Sequence, residues 1–394
     1  QVRIRIIGDY DVDGVTSSHL FLMALRRVGA KVDVVIPHRI QDGYGLSLHL
    51  LQQAKEDGVD TILTCDNGIA AIDEIAWAKA QKMTVLVTDH HAVPFEEHEG
   101  RRTEKKSLAD AVVNPHQQDC GYPYKELCGA GVAWNVIRVL YENYDMDKRE
   151  AEDLLDFVAM ATVCDVMSLT GENRILVKEG LKRIRHTKNI GLQALMQACN
   201  VQPENISAYH FGYVLGPCVN ATGRLDTARH ALRLFETGQE TEAEEIARDL
   251  VDLNQERKEL TLQGVEMAKK LCEEGGYEND PVLVLFLPDV HESIAGLIAG
   301  RIREMYNRPV FVLTRGEEGV KGSGRSTENY SMYENMCGCA ELFTKFGGHP
   351  MAAGLSLPEE NVEKFRRKIN ENCPLTVEEV CPDIHIDMAM PVRS

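Results

Sequence analysis

Three aspartates spaced two residues apart follow an apolar run near the start of the chain. The stretch "IIGDYDVDG" carries Asp9, Asp11 and Asp13. In an extended segment, residues two apart point to the same side, so these carboxylates converge and repel one another. One aspartate suffices to cap a following helix, whereas three favour a site in which a divalent cation offsets the repulsion.

Two further apolar runs end in residues of the same chemical kind. "TCDNG" places Asp66 after one run, and "VTDHHAV" places Asp89, His90 and His91 after the next. Singly, such an aspartate is often a helix cap, and a histidine pair is often part of a surface loop. Together, carboxylate and imidazole groups are suited to Mn²⁺ or Mg²⁺. Asp165, in "ATVCDVMSL", ends an apolar helical pattern and needs a partner, which a metal ion would supply.

The elements that must position these residues alternate between strand and helix over residues 1–115. Short apolar runs such as "TILTC" and "MTVLVT" are separated by longer amphipathic patterns. This alternation predicts an α/β fold with a mostly parallel sheet. Ligands of such sheets bind outside the carboxyl ends of the strands, and the aspartates and histidines fall at those ends.

The rest of the chain predicts a helical region and a second, smaller α/β unit. Residues 127–235 are mainly helical in pattern, and residues 239–275 form one long polar amphipathic pattern, typical of a helix that bridges two domains. Beyond it, "PVLVLFLP", "PVFVLT" and "MAAGLSL" predict strands, and "GVKGSGRS" is expected to run into a turn. The polar segment 92–110 is expected to form a mobile loop near the entrance of the site.

The composition bounds the class of protein. The chain has 394 residues, 44% apolar and 26% charged, so we expect a globular protein with more than one domain. Its net charge of −18 argues against a basic nucleic-acid coat protein, but not against a nucleic-acid enzyme whose carboxylates hold metal ions. Its 11 scattered cysteines, with no membrane-spanning run or signal sequence, favour reduced thiols and a cytoplasmic location. The chain begins inside a predicted strand, so we expect it to be a fragment.

Several stretches resemble the DHH phosphoesterase superfamily. "DYDVDG", "CDNG", "TDHH" and "ATVCDV" look like its first four motifs, in order. "GYGL", "CGAGVAW", "ENRILVKEGL" and "NATGRLDTA" resemble the RecJ type, the single-strand-specific 5′ exonucleases. "VKGSGRS" and "KFGGHPMAAGLS" resemble its companion DHHA1 domain. The resemblance covers nearly the whole chain, and the ordered set is far more specific than "DHH" alone.

The resemblance implies a two-metal phosphodiesterase that binds two Mn²⁺ ions, with Mg²⁺ as the alternative. It implies that Asp66 bridges the two ions, that Asp89 orients the histidine pair, and that His91 faces the scissile phosphate. Asp9 is then a further ligand or a neighbour of the ligands. The implied metal ligands are Asp11, Asp13, Asp66, His90 and Asp165.

A second set of residues is implied to bind phosphates of the substrate. In the DHHA1-like part, the small residues around Arg325 let its guanidinium reach a phosphate in a bidentate manner, and glycines allow close backbone approach. The other interpretation is a glycine-rich hairpin turn with a surface arginine and histidine. Arg224 is either a phosphate contact or a salt-bridge partner of Asp226. The implied substrate-binding residues are Arg224, Ser323, Arg325, Ser326, Gly347, Gly348 and His349.

The resemblance also divides the chain and implies a function. It implies a DHH phosphoesterase domain over 1–190, a helical connector with a long linking helix over 191–275, and a DHHA1 domain over 276–372. Residues 373–394 would start an OB-like domain that is cut short. The implied function is metal-dependent 5′→3′ hydrolysis of single-stranded DNA to 5′-mononucleotides, in DNA repair and recombination.

Two alternatives stay open at this point. A DHH-family oligoribonuclease or adenosine bisphosphate phosphatase is one, although compact members lack the long helix and "NATGRLD". A non-catalytic RecJ-like replication scaffold is the other, although such a protein would lose the metal carboxylates that this chain retains. Single-stranded DNA is the expected partner, with a single-strand-binding protein or a helicase as candidates and no membrane. The oligomeric state is left undecided.

Overall fold

The computed structural model describes residues 2–39, 42–98, 101–277, 280–316, 319–376, 379 and 388. The chain forms two compact units, Gln1–Gln255 and Glu256–Ser394. The predicted start of an OB-like domain, 373–394, lies for the most part outside the described residues. The four domain ranges inferred from the sequence stay predictions.

The first unit is built on a parallel sheet with the strand order β2-β1-β3-β4-β7. Every residue of its central strand β3 is buried, as expected for a parallel sheet covered on both faces. This confirms the predicted α/β fold. The strands of this unit are β1 (Arg3–Ile7), β2 (Lys31–Val35), β3 (Thr61–Cys65), β4 (Thr84–Thr88), β5 (Phe95–His98), β6 (Arg101–Glu104) and β7 (Ala111–Val113).

Helices cover both faces of this sheet. Consecutive residues of β1 point to opposite faces, so Ile6 joins one apolar cluster and Ile7 joins the other. The first three helices connect the strands, and the following ones build the predicted helical region. They are α1 (Val12–Arg27), α2 (Leu48–Glu56), α3 (Ile72–Ala80), α4 (Gly129–Asn143), α5 (Lys148–Glu152), α6 (Leu155–Cys164), α7 (Gly171–Arg183), α8 (Ile190–Ala198), α9 (Ala208–His210), α10 (Gly216–Leu225) and α11 (Arg229–Glu236).

The long helix predicted over 239–275 is α12, Glu240–Glu274, with 35 residues. It leads into the second unit, whose sheet has the order β11-β12-β10-β9-β8 and contains both parallel and antiparallel pairs. The elements of this unit are β8 (Leu283–Phe286), α13 (Ala295–Tyr306), β9 (Val310–Gly316), β10 (Gly319–Arg325), α14 (Met332–Cys337), β11 (Lys345–Gly348), β12 (Ala352–Leu357) and α15 (Val362–Glu371).

One local expectation was incomplete and another was wrong. "GVKGSGRS" does run into a turn, at 327–330, but Gly319–Arg325 before it form the whole of β10, a strand paired on both sides, because β9 and β12 supply partners that a local pattern cannot reveal. The segment 92–110 is not only a loop, since β5 and β6 form an antiparallel hairpin in which Phe95 pairs with Glu104. Its charged strands lack the apolar alternation that signals a strand in sequence. Within the described residues, no helix is long and apolar enough to cross a membrane.

Candidate metal centre

The predicted ligands gather at the carboxyl edge of the first sheet. Asp9 lies two residues after β1, while Asp66 and Asp89 directly follow β3 and β4, which are hydrogen-bonded neighbours. Asp11 caps α1 by accepting a hydrogen bond from the backbone N–H of Gly14 at 3.0 Å. The cap uses one carboxylate oxygen, so Asp11 can cap α1 and still offer its other oxygen to a metal ion.

Three interlocking groups of side chains could each hold a metal ion. In each group, one ligand atom per residue lies within 4.8 Å of the others. Asp66 and His90 each belong to two groups, which suits two adjacent ions that share a ligand. The groups are Asp9, Asp11 and Asp66; Asp13, His90 and Asp165; and Asp66, His90 and His91.

The donor atoms of this cluster fit a divalent cation. Asp66 Oδ1 lies 3.0 Å from His90 Nε2, and Asp13 Oδ2 and Asp165 Oδ2 each lie 3.6 Å from the same nitrogen. Asp9 Oδ1, Asp66 Oδ1 and His90 Nε2 are buried and make no hydrogen bond to any part of the chain that the structure describes. Buried polar atoms are rarely left so, and carboxylate plus neutral imidazole is a donor set for Mn²⁺ or Mg²⁺.

Crowding and burial make the carboxylates reluctant to ionise without a cation. Burial, followed by the neighbouring carboxylates, raises the pKa of Asp9, Asp11 and Asp66. The same two causes raise the pKa of Asp165 to about 8. A divalent cation among these groups would reverse the effect, since it favours their charged forms.

The two histidines differ in charge. Burial lowers the pKa of His90, which keeps its imidazole neutral, as a metal ligand must be. Burial also acts to lower the pKa of His91, but a 2.8 Å hydrogen bond to Asp89 and the charge of that carboxylate outweigh it and raise the pKa to about 9. In the metal-free chain, His91 therefore favours its protonated form at neutral pH, whereas His90 does not.

Asp89 holds the loop that carries both histidines. Its Oδ1 accepts hydrogen bonds from the backbone N–H groups of His90 and His91, at 2.7 and 3.1 Å, and its Oδ2 accepts one from Ile69 at 2.9 Å. Burial acts to raise the pKa of Asp89, but the bond to His91 and these N–H groups lower it overall. An orienting role for Asp89 would require hydrogen bonds of this kind. The role itself stays a prediction.

The start of α4 supports the cluster in a way that the sequence did not reveal. Asp13 accepts hydrogen bonds from the backbone N–H groups of Gly129 and Ala130, at 2.6 and 2.8 Å. A Cβ at Gly129 would lie 2.7 Å from the Asp66 Cβ and 3.0 Å from Asp13 Oδ2, so only glycine fits. The sequence signal was the "CGAGVAW" stretch, but nothing in its local pattern showed that its backbone N–H groups contact Asp13.

Tyr44, in "GYGL", is a second residue that sequence reasoning missed. Its hydroxyl donates to the backbone carbonyl of Asp66 at 3.2 Å and lies 3.1 Å from His91 Nε2. The side chain is 54% exposed, so it forms part of the open wall of the site.

The "NATGRLD" stretch lies against the aspartate loop. Asn220 accepts a hydrogen bond from the backbone N–H of Val12 at 3.1 Å, and a Cβ at Gly223 would lie 2.4 Å from the carbonyl oxygen of Tyr10. Arg224 is in the last turn of α10, and its charge acts on the Tyr10 hydroxyl. These contacts leave both interpretations of Arg224 open.

The residues proposed to bind phosphate in the second unit are divided between two places. Arg325 and Ser323 share one face of β10 towards the start of α13, where a Cβ at Gly296 would lie 2.9 Å from Arg325 Nη2 and 3.5 Å from the Ser323 Cβ. Ser326 is 1% exposed and donates its hydroxyl to the carbonyl of Tyr330 at 2.6 Å, so this hydroxyl holds a turn instead of facing solvent.

The glycine-rich stretch "KFGGH" lies on the edge strand of that sheet. Gly347 and Gly348 pair with Gly354 and Ala353 of β12, and His349 follows in the connecting turn. Gly348 has a φ of +152°, and a Cβ there would lie 2.5 Å from the carbonyl of Ala352. Backbone geometry and the close carbonyl therefore explain why residue 348 is a glycine. A phosphate-binding role for this stretch stays a prediction.

Comparison with known proteins places the chain in a family. Residues 3–162 match the model for the N-terminal domain of the DHH family, and residues 279–373 match the DHHA1 domain. The chain is 38% identical over 389 residues to the single-stranded-DNA-specific exonuclease RecJ of Haemophilus influenzae, covering 94% of the chain and 66% of that protein. It is 34% identical over 397 residues to RecJ of Bacillus subtilis, covering 100% of the chain and 48% of that protein. The chain thus spans about half to two thirds of the length of these relatives.

Solved structures give the same result. A crystal structure of exonuclease RecJ bound to manganese superimposes with a TM-score of 0.81 at 32% identity, covering 96% of this chain and 91% of that one. RecJ from Thermus thermophilus, in complex with Mn²⁺, gives a TM-score of 0.79 at 31% identity and covers 94% of this chain and 51% of that one. The resemblance inferred from the sequence is confirmed, and the chain belongs to the RecJ family, with a DHH domain followed by a DHHA1 domain.

Proposed function

We propose that this chain is a metal-dependent exonuclease that hydrolyses the phosphodiester bonds of single-stranded DNA. The observation that carries the proposal is the set of three interlocking carboxylate and imidazole groups at the carboxyl edge of the first sheet. Relatives that match most of the chain are single-stranded-DNA-specific exonucleases, and a solved relative is bound to manganese. A neighbouring RecJ structure is in complex with Mg²⁺, so we propose Mn²⁺ with Mg²⁺ as a substitute.

Two ions would be held by two of these ligand groups. Asp9, Asp11 and Asp66 would hold one, and Asp13, His90 and Asp165 would hold the other; Asp66, which also groups with His90, would be the ligand they share. When bound, such a pair supplies a hydroxide nucleophile at neutral pH and neutralises charge that develops on the phosphate.

The side chains around the ions would orient the substrate and move a proton. His91, hydrogen-bonded to Asp89 at 2.8 Å, would donate a hydrogen bond from its ring to a phosphate oxygen. The hydroxyl of Tyr44 would limit the position of that ring from the other side. Asp13 would keep its position because the start of α4 donates two backbone hydrogen bonds to it.

We further propose digestion from the 5′ end, release of 5′-mononucleotides and a role in DNA repair and recombination. The phosphate contacts proposed for the second unit are Ser323 and Arg325, with Gly347, Gly348 and His349. The guanidinium of Arg325 next to the start of α13 supports an anion site there, because helix starts favour negative charge. For Arg325→Ala we expect a higher KM for DNA with unchanged Mn²⁺ affinity.

The testing experiment is digestion of a single-stranded DNA oligomer of about 20 nucleotides, longer than the site size of a typical single-strand groove. One sample carries a 3′ label and another a 5′ label, each with Mn²⁺ and with EDTA. Early release of the 5′ label as a mononucleotide, with stepwise shortening of the 3′-labelled product, is expected only with Mn²⁺. Early release of the 3′ label would reverse the proposed direction.

The same experiment decides between the proposal and its alternatives. A dinucleotide and adenosine 3′,5′-bisphosphate are included beside the oligomer. Hydrolysis of the small substrates alone would favour the oligoribonuclease or phosphatase. Inactivity on all substrates, by a chain that still binds Mn²⁺, would favour a scaffold.

A further inference from the structure

One continuous helical segment, residues 208–225, connects the metal centre to an uncovered surface. It consists of α9, a single turn of π-helix over Phe211–Leu215, and α10. The π turn packs against the end of α6, where Cys164 Sγ donates to the carbonyl of Phe211 at 3.3 Å. Asp165, the proposed ligand, is the residue that follows. Turns of π-helix inside α-helices are rare and are frequent at functional sites.

The C-terminal half of this segment contacts the aspartate loop. Asn220 accepts a hydrogen bond from Val12, which lies between Asp11 and Asp13. Tyr213 lies seven residues earlier, which corresponds to about 10 Å along a helix axis. Tyr209 and Tyr213 lie in the N-terminal half of the same segment, at its first helical turn and within the π turn.

The N-terminal half of the segment carries an uncovered aromatic surface. Tyr209 and Tyr213 are 62% and 72% exposed, and their rings stack at a centroid distance of 5.2 Å with an angle of 25° between their planes. Rings so exposed contribute little to a core, and two adjacent ones form a contiguous apolar surface, which often marks a binding site. Their mutual stacking orders both rings before any ligand arrives, which lowers the entropy cost of binding.

We propose that Tyr209 and Tyr213 form a platform on which bases of the single-stranded substrate stack while a phosphate lies at the metal centre. This inference rests on the proposed function and adds to it the part of the substrate that this surface recognises. Aromatic rings bind unpaired bases without sequence preference, because every base has a π-face. Bases in a duplex are already stacked on one another, so the platform favours single strands.

The charge of the chain supports a stacking contribution. Most nucleic-acid affinity normally comes from cationic side chains on phosphates, but the net charge here is −18. A chain with this net charge gains little general attraction for phosphates, so a pair of exposed rings on the helical segment that reaches the aspartate loop would add affinity that overall charge does not supply.

The first test is the double variant Tyr209→Ala/Tyr213→Ala. Stacking on an aromatic ring corresponds to about a fivefold to hundredfold change in affinity per base, so we expect KM for the oligomer to rise by that factor while kcat changes by less than about twofold. Tyr209→Phe/Tyr213→Phe keeps the rings and should behave like the wild type. Tyr144→Ala, at another tyrosine that is 58% exposed, is the matched surface control.

The second test identifies the contact as one with bases. Abasic positions are introduced singly along the oligomer, and binding is measured by fluorescence anisotropy in an Asp66→Asn background, which prevents digestion. The tyrosine-containing chain should lose affinity at one or two abasic positions, and the double alanine variant should be insensitive at those same positions. Equal sensitivity of both chains at every position would overturn the platform.

The failure of this inference is distinguishable from failure of the proposed function. If the wild-type chain digests single strands and the alanine variant has an unchanged KM, the platform is wrong and the exonuclease stands. If the wild type neither binds nor digests single strands with Mn²⁺, the proposed function fails, and the platform fails with it.

Discussion

Asp66 is the residue on which the candidate site depends most. It belongs to two of the three ligand groups and has a φ of +61°, a left-handed conformation that aspartate tolerates better than most residues. The backbone of Asp66 also accepts the hydrogen bond from Tyr44. Residues with strained backbones often lie at functional sites, and this one lies where the two proposed ions would share a ligand.

The substitution Asp66→Ala is expected to abolish hydrolysis without unfolding the chain. We expect kcat to fall by at least about a thousandfold, which corresponds to about 4 kcal/mol of transition-state stabilisation. Removal of one buried carboxylate relieves repulsion in the metal-free chain, but alanine tolerates a φ of +61° less well than aspartate does, so the two effects oppose each other and the chain should stay folded at the assay temperature. Asp73→Ala, at the exposed start of α3, is the control. Turnover near the wild-type rate in Asp66→Ala would exclude the shared-ligand arrangement.

At the scale of elements, the start of α4 determines how closely Asp13 and Asp66 can approach. Gly129→Ala would place a methyl group 2.7 Å from the Asp66 Cβ, so we expect Mn²⁺ affinity to fall by about tenfold to a hundredfold, as for other changes around metal ligands. The measurement is calorimetric titration with Mn²⁺. Gly121→Ala, where a Cβ would meet nothing within 4 Å, is the matched control. Equal affinities in the two variants would show that α4 does not set the spacing.

The start of α6 carries a carboxylate outside the metal centre whose ionisation is linked to folding. Asp156 is 3% exposed and accepts hydrogen bonds from Thr187 Oγ1 at 2.6 Å and from the backbone of Phe157 at 2.8 Å. Burial, only partly opposed by these bonds, raises the pKa of Asp156 to about 6. An aspartate in an unfolded chain titrates near 3.9, so between pH of about 4 and about 6 the folded state binds more protons.

The free energy of unfolding should therefore fall as the pH rises through that window, by about 3 kcal/mol from this group. In Asp156→Asn this contribution disappears, so the variant should gain stability relative to the wild type between pH 4.5 and pH 7, as measured by urea unfolding without metal. Both tryptophans, Trp77 and Trp134, lie in the first unit, so their fluorescence reports its unfolding. The exposed Asp252→Asn should show the wild-type slope, and an identical slope in Asp156→Asn would refute the linkage.

At the scale of the whole molecule, the candidate metal centre would link ion binding to the stability of the first unit. Mn²⁺ at about 100 times its Kd should stabilise that unit by about 2.7 kcal/mol, seen as a higher melting temperature by tryptophan fluorescence. Because the raised pKa values of Asp9, Asp66 and Asp165 mean that protons must leave as the ion binds, the affinity should increase as the pH rises towards about 8. The Asp66→Ala chain should show little stabilisation, and an equal increase there would place the ion elsewhere.

Local sequence patterns were sufficient for the parallel sheet, the long helix and the cluster of candidate ligands. Short apolar runs such as "TILTC", set between helical patterns, predict buried strands, and the carboxyl ends of parallel strands meet at one edge by geometry alone. The aspartates and histidines were therefore identifiable before their distances were known. Their role as metal ligands stays a prediction that the chemistry of the cluster supports.

Tertiary structure alone decided the features that depend on distant partners. β10 is glycine-rich and became a strand because β9 and β12 pair with it, and the β5–β6 hairpin formed from charged residues without an apolar alternation. The hydrogen bonds from α4 to Asp13 join residues that are far apart in sequence. The stacked tyrosines lie on a surface that the packing of the helices leaves uncovered. Periodicity reports which residues share a face of one element, but only the packing of whole elements determines what that face meets.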